Sequence, residues 1–389
     1  MIFRTISAQV LELKRYFPIL YIGGPRQSGK TTLICTLFTE MPYRNLEDPD
    51  TLAYALSDPR GFLAGFSEGG IIDEAQRAPE LFSYLQNIVD THPNKQFILS
   101  GSQNFLLLER ITQSLAGRVG ILTLLPFGAR ELAAHQPLPN VLTYAWQGSY
   151  PPLYDRTIPP RFFFRNYVTT YLERDVRQLV QIGDLNRFNR FLQLCAGRAG
   201  QVLNLSSLAQ DADIAVNTAK SWLSVLEASY LVFQLPPYFK NFNKRLIKSP
   251  KLYFTDTGLM CHLLGVNSPD QLDIHFAYGA IVENLFISEY YKRYTNAGER
   301  PPFYYWRDSN GHEVDLLIDE GGELRSVEIK ASRTYKSTHF KGLRWWQKTT
   351  ELPSAQSTVL YLGDQSFETS EGTLLGWADW IAGRAPRHR

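Results

Sequence analysis

An α/β chain in three parts is the fold class this sequence predicts, and three observations predict it. Short apolar runs, "FPILYIGG", "GGIIDE" and "KQFILSGS", alternate with helical stretches such as "PELFSYLQNIVDTHP" over residues 1–150, the texture of a parallel sheet covered by helices. Pro-rich breaks, "SYPPLYD" and "TIPPRF", then open a mostly helical segment over residues 151–265. Strand signals return in "PPFYYWR", "VDLLID", "RSVEIK" and "STVLYLG", with a helix at "FKGLRWWQKTT" between the last two, so residues 266–389 read as a second α/β domain.

At 389 residues and 44% apolar composition, the chain exceeds one ordinary core and suits two or three domains. A formal net charge of +2 excludes a globally polyanion-binding protein, so any nucleic-acid surface has to come from local clusters of Lys and Arg. Cys35, Cys195 and Cys261 match neither a disulfide framework nor a metal-ligand spacing, which fits a reducing compartment. The N-terminus "MIFRTISAQVLELKRYFPIL" carries charges every few positions, and no apolar run reaches about 18 residues. A cytoplasmic protein without a membrane span is the expectation.

The first strand leads into "GPRQSGKT", Gly24 to Thr31, which satisfies G-x-x-x-x-G-K-[ST] between an apolar strand and a helix. In that setting backbone N–H groups cradle phosphates, Lys30 reaches the β- and γ-phosphates of ATP, and Thr31 supplies a hydroxyl to Mg²⁺. Gly24 and Gly29 permit backbone that a Cβ would oppose, and Thr32 joins them at the start of the helix. "GGIIDEAQ" adds Asp73 for the Mg²⁺ shell and Glu74 to polarise the attacking water. Ser100 and Ser102 close the next strand as candidate γ-phosphate sensors or as plain turn residues. Arg118, in "SLAGRVG", is the candidate arginine finger, against the alternative of an ordinary surface arginine.

In the middle segment, "LSSLAQDADIAVNTAKSWLSVLEASYLVFQLPPY" has the order short helix, turn, longer helix, strand, the outline of a winged helix-turn-helix. Asn217, Thr218, Lys220 and Ser221 lie at the N-terminal end of the longer helix, where a recognition helix meets DNA. "KNFNKRLIKSPK" places Lys240, Lys244, Arg245, Lys248 and Lys251 at the position of a wing, with Phe239 and Phe242 interleaved. The alternative is a packing module that touches no nucleic acid.

The last segment holds "HEVDLLIDEGGELRSVEIK". A two-residue turn at Gly321 and Gly322 makes residues whose numbers sum to 643 face each other, so Asp315 opposes Glu328 and Glu313 opposes Lys330. Opposed residues have Cβ atoms about 5 Å apart, and two carboxylates at that range call for a proton or a divalent cation. Val314, Leu316, Ile318, Val327 and Ile329 form the opposite, core-facing side. Lys330 is placed to act on the attacking water or on a phosphate. Glu283, within the apolar run "GAIVENLFISEYY", is the candidate third ligand, with Glu289 as its rival. A solvated face with Glu313 and Lys330 paired across strands is the plain alternative.

Taken together, "GPRQSGKTTL", "GGIIDEAQRAPELF", "FILSGSQNFLL", "SLAGRVGILTLLPFGAREL", "YVTTYLERDV", "YFTDTGLMCHLLG", "GAIVENLFISE" and "HEVDLLID...VEIKAS" resemble, in this order, the prokaryotic AAA-like P-loop ATPases whose C-terminal domain is related to archaeal Holliday-junction-resolvase-type nucleases. The resemblance implies an AAA-like core, a winged-helix segment and a C-terminal restriction-endonuclease-like domain of the PD-(D/E)xK type. It places Lys30, Thr31, Asp73 and Glu74 at the nucleotide site and Glu283, Asp315, Glu328 and Lys330 at the nuclease-like site, with Mg²⁺ or Mn²⁺ as the metal there. It further implies a homo-oligomer, with the arginine finger in a neighbouring subunit, and DNA, branched DNA included, as partner in repair, recombination or defence. The competing expectation is a nucleotide-switched DNA-binding or signalling ATPase, as in a toxin–antitoxin-like system, with a non-catalytic C-terminal domain.

Overall fold

A computed structural model describes residues 2–102, 114–172, 185–238, 248–308, 310–350 and 356–384. The chain divides into two compact units: residues 1–127 with 225–231 and 292–300, and residues 128–224 with 232–291 and 301–389. Residues 128–150, grouped by sequence with the first domain, therefore fall in the second unit. Among the described residues no helix is long and apolar enough to cross a membrane.

The first unit is built on five parallel strands, β1 (Ile19–Gly23), β2 (Tyr43–Asn45), β3 (Gly69–Asp73), β4 (Gln96–Gly101) and β5 (Val119–Thr123), in the order β2-β3-β4-β1-β5. Every residue of β1 is buried because helices cover both faces. Ile19 and Tyr21 pack with Phe62, Phe66 and Leu85, whereas Leu20 and Ile22 pack with Val10, Leu33 and Ile34. A strand covered on both sides reads as a continuous apolar run, which is how β1, β3 and β4 announce themselves in the sequence. Neither β2, with only Tyr-Arg-Asn, nor β5 was expected; β2 carries no such run, whereas β5 lies in the apolar "VGILTLL". The order matters for function: β1 lies between β4 and β5, so the residues that follow β1, β3 and β4 gather at one sheet edge.

In the middle of the chain, the helices Leu205–Asp211 and Val216–Ala228 are followed by the antiparallel ribbon β6 (Val232–Leu235) and β7 (Lys251–Phe254), so the expected order of elements is present. Tyr230 follows the second helix, with a φ of 59°. The wing candidates Phe239, Lys240, Phe242, Lys244 and Arg245 lie outside the described residues.

The C-terminal part carries a mixed six-stranded sheet with strands β8 (Phe303–Arg307), β9 (Glu313–Glu320), β10 (Glu323–Lys330), β11 (Ser357–Tyr361), β12 (Phe367–Thr369) and β13 (Gly372–Gly376), ordered β12-β13-β11-β10-β9-β8. The pairs Glu323–Glu320 through Val327–Leu316 of the β9–β10 hairpin all sum to 643, as the Gly-Gly turn predicts. Helix Lys341–Thr350 is the crossover from β10 to the parallel β11.

One expectation about this hairpin is corrected. Leu317 and Leu324 alternate onto the same face as Asp315 and Glu328, and both are buried with Phe340, Leu343 and Trp346 under the crossover helix. Neither face of the hairpin is a solvated polar face. Of its acids, Asp315 and Glu328 lie at the end away from the turn, while Asp319, Glu320 and Glu323 flank the turn itself.

Asp256 joins two segments of this unit. Wholly buried, it accepts from Leu259 N at 2.9 Å to cap helix Thr257–Leu263, and its other oxygen accepts from Ser149 N and Ser149 Oγ, both at 2.8 Å. Asp256→Ala strands three donors and is expected to cost about 3 kcal/mol, read as a lower urea midpoint for the chain; an unchanged midpoint contradicts the role.

Candidate functional site

The phosphate loop takes its shape from backbone that only certain residues tolerate. Gly24 has φ 150°, and a Cβ there would lie 2.1 Å from Leu124 O, because Leu124 N donates to Gly23 O at 2.8 Å and draws the chain after β5 against the loop. Gly29, at φ 96°, turns the chain into helix Lys30–Leu37. Arg4 braces the loop from outside, donating to Ser28 O at 2.8 Å and Leu125 O at 2.6 Å, with its guanidinium 4.7 Å from the Phe127 ring centroid. Lys30 Nζ lies 2.9 Å from both Gly24 O and Pro25 O, inside the loop it is meant to serve.

Asp73, at the end of β3, is the hub of the site. Its Oδ2 accepts from Thr31 Oγ1 at 2.7 Å and Tyr43 Oη at 2.8 Å, and its Oδ1 accepts from Ser100 Oγ and from Glu74 N at 3.1 Å. Burial and the Asp73 carboxylate hold the Tyr43 phenol far above its ordinary pKa, so it stays a donor. Glu74 follows in left-handed backbone at φ 55°, and its Oε2 accepts from Gln76 Nε2 and, at 3.3 Å, from Ser102 Oγ. The two serines thus divide: Ser100 serves Asp73 and Ser102 serves Glu74. Tyr230 also enters this unit, its Oη within 2.5 Å of where a Cβ on Gly23 would stand.

The structure brings Gly24, Gly29, Lys30, Thr31, Thr32, Asp73, Glu74, Ser100 and Ser102 to one sheet edge. It does not bring Arg118 there. Ile19 N donates to Arg118 O at the start of β1, four residues or roughly 13 Å of strand from Gly23. The Arg118 guanidinium forms a two-point pair with Asp90 at 2.6 and 2.8 Å. Sequence reasoning missed Tyr43 and Arg4: one lies on a three-residue strand without an apolar run, the other precedes the first helix with no motif to mark it.

In the second unit, Ile329 N donates to Asp315 Oδ2 at 2.8 Å, and Asp315 and Glu328 are the residues next after the last ladder pair, Val327–Leu316. Burial, then Glu328 and Glu283, push the Asp315 carboxyl well above the usual carboxylate range. Burial also raises Glu328, against the pull of Lys330, whose Nζ donates to Glu328 Oε1. Glu328 Oε2 is buried with no hydrogen-bond partner, next to Gly342, where a Cβ would stand 3.2 Å from it.

Glu283 does not join these two as a third ligand. Its Oε1 accepts from Lys251 Nζ at 2.9 Å and Tyr253 Oη at 2.6 Å. Among the described residues, no group of three or more His, Cys, Asp or Glu side chains is arranged to hold a metal ion. The reason is Lys251. Read from sequence as a wing cation, it is only 2% exposed and pairs with both Glu283 and Glu313. Nor does Glu313 pair with Lys330; its partners are Lys251 and Arg307. The rival ligand Glu289 is spent on architecture, accepting from Ala129 N at 2.6 Å and Tyr144 Oη at 2.8 Å.

Comparison with known proteins places this geometry. A family model described as an AAA domain matches residues 16–133, and two described as domains of unknown function, DUF8612 and DUF4143, match residues 138–270 and 278–380. Two uncharacterized proteins, Mb2031c of Mycobacterium bovis and Rv2008c of Mycobacterium tuberculosis, are each 31% identical over 384 residues, covering 97% of this chain and 84% of theirs. The chain belongs to this family of P-loop ATPases. Among solved structures, the Walker-type ATPase PABY2304 of Pyrococcus abyssi is similar over 66% of this chain and 94% of its own, at 15% identity and a TM-score of 0.43.

An ATPase of this family uses a nucleotide, typically with Mg²⁺, and the residues present fit both. The Gly24 hollow is one a Cβ would fill, and Ser28 Oγ is buried there without a hydrogen-bond partner. Thr31 Oγ1 and Asp73 Oδ2, 2.7 Å apart, form an oxygen donor pair suited to Mg²⁺. Gly24→Ala is expected to abolish binding of a fluorescent ATP analogue while leaving the circular dichroism spectrum unchanged, because the added methyl collides with Leu124 O.

Proposed function

We propose that this ATPase hydrolyses ATP at the Asp73 hub and engages DNA, with the end of the β9–β10 hairpin as a metal-dependent nuclease-like site. In the nucleotide half, Lys30 offsets charge on the β- and γ-phosphates, and Thr31 and Asp73 hold Mg²⁺, which neutralises charge developing on the phosphoryl oxygens. Glu74 polarises the attacking water; its left-handed backbone turns the carboxylate out of the strand, toward Gln76 and Ser102. Arg118, at the far edge of the sheet from Gly23, suits action on a neighbouring subunit's nucleotide in a homo-oligomer.

The observation that carries the nuclease reading is the pair Asp315 and Glu328, next after the last ladder pair of the hairpin and close enough to repel, with Glu328 Oε2 buried and unpartnered beside Lys330. Two carboxylates held this way favour a divalent cation, Mg²⁺ or Mn²⁺, over two bare charges. Lys330 then stands ready to orient water or receive charge at a scissile phosphate. Asn217 and Lys220 are exposed at the start of helix Val216–Ala228, which supports DNA contact from that end.

A specific observation favours a second reading, a nucleotide-switched regulatory ATPase whose C-terminal domain does not cut. Lys251 already neutralises Glu283 and Glu313, as a structural ion pair would.

Two measurements test the two halves of the proposal. Glu74→Gln should lower kcat for ATP hydrolysis by about 100-fold or more while ATP binding persists; retained turnover removes Glu74 from the chemistry. Branched and linear DNA incubated with the chain and Mg²⁺ or Mn²⁺ should be nicked, and Asp315→Ala should abolish the nicking without touching ATPase activity. If no DNA is cut under any metal condition, the regulatory reading stands.

A further inference from the structure

Lys251 is the residue of the acidic site to which neither reading of the hairpin gives a part in metal binding. It lies on β7 of the ribbon, whereas Glu313 and Asp315 belong to β9 and Glu283 to helix Tyr278–Asn296. Its Nζ contacts Glu283 Oε1 at 2.9 Å and Glu313 Oε1 at 2.5 Å, and lies 5.6 Å from the Tyr305 ring centroid. Burial alone would favour its neutral form; Tyr253, Glu283, Asp315 and Glu313 together reverse that and keep it an ammonium ion. Four carboxylates, Glu283, Glu313, Asp315 and Glu328, thus meet three cations, Lys251, Lys330 and Arg307.

The ribbon carrying Lys251 is tied down on two sides. Gly200 N donates to Leu252 O at 2.8 Å and Leu252 N to Gln201 O at 3.3 Å, which sets Gly200 against the Glu283 carboxylate. The chain leaving β6 meets β8, with Tyr238 N donating to Tyr305 O at 2.8 Å and Tyr305 N to Pro236 O at 3.0 Å. The Tyr305 hydroxyl closes the seam on Ser249 O, two residues before Lys251.

We propose that Lys251 is a built-in counter-ion that the ribbon inserts into the acidic site, and that it competes with a divalent ion for Glu283 and Glu313. The proposal rests on the metal-site reading of Asp315 and Glu328 and adds its regulation. Seated, the ammonium leaves only Asp315 and Glu328 for a metal, a weak two-carboxylate site. Without the ammonium, Glu283 is released as a further ligand, and the site binds the ion more tightly. A metal and the ammonium cannot share Glu283 at close range, because the two positive charges would repel in a poorly solvated space.

The test is Mn²⁺ binding to the full chain, without nucleotide, read by the loss of the free-ion electron paramagnetic resonance signal. Lys251→Met should raise Mn²⁺ affinity about tenfold or more. Asp315→Ala should remove that gain in the double variant, and Lys251→Arg should stay near the unsubstituted protein. A gain absent from Lys251→Met, or one that survives Asp315→Ala, overturns the proposal. A second readout needs no substitution at 251: amine acetylation followed by mass spectrometry should label Lys251 more as Mn²⁺ fills the Asp315-dependent site. Labelling that does not change with saturation also overturns it. Asp315-dependent Mn²⁺ binding indifferent to Lys251 would leave the metal-site reading intact and remove only the counter-ion, whereas its absence from every variant would remove both.

Discussion

A carboxylate taken out of water has to be met by donors or by positive charge, and this constraint organises both units of the chain. Asp73 gathers Thr31, Tyr43, Ser100 and the Glu74 amide around itself, so the start of β2, the ends of β3 and β4 and the start of the helix after the phosphate loop are bound to one side chain. Asp256 does the same for a helix start and a distant loop, and Glu289 for Ala129 and Tyr144. Chemistry and architecture draw on the same interaction here. The difference lies in what completes the set: Asp256 has its donors from the protein, while Glu328 keeps a buried oxygen without one.

How much of this could be read from the amino acids follows from how local each signal is. The phosphate loop, Asp73 and Glu74 were legible because strand, turn and helix are contiguous and the motif fixes their spacing. The hairpin register was legible too, since a Gly-Gly turn converts sequence numbers into cross-strand pairs. Tyr43 was not, because three residues on a short strand give no periodicity, and its meeting with Asp73 depends on sheet order. Lys251 was misread for a related reason. Within "KNFNKRLIKSPK" it is one cation among several, and only the pairing of β7 with β6 and the contact with Glu283 take it out of the surface cluster.

The faces of the hairpin carry a further lesson about patterning. Alternation along "VDLLID" suggested one apolar side and one polar side, yet Leu317 lies on the acidic side and is buried. A crossover helix packs over that face, as parallel pairing of β10 with β11 requires, so apolar residues are needed on both sides. Asp315 and Glu328 lie at the end of the strands where this helix begins. A polar site in such a sheet is therefore a matter of position along the strand as much as of face.

The same pairing constrains how this region can drift. One residue gained or lost inside β9 between Asp315 and the turn would move Asp315 to the opposite face and bring an apolar neighbour into its place across from Glu328. Changes in length are tolerable only at the turn around Gly321 and Gly322, or two residues at a time. Among related chains, the distance in sequence from this aspartate to the "VEIK" glutamate should consequently vary with the loop and stay invariant in the ladder.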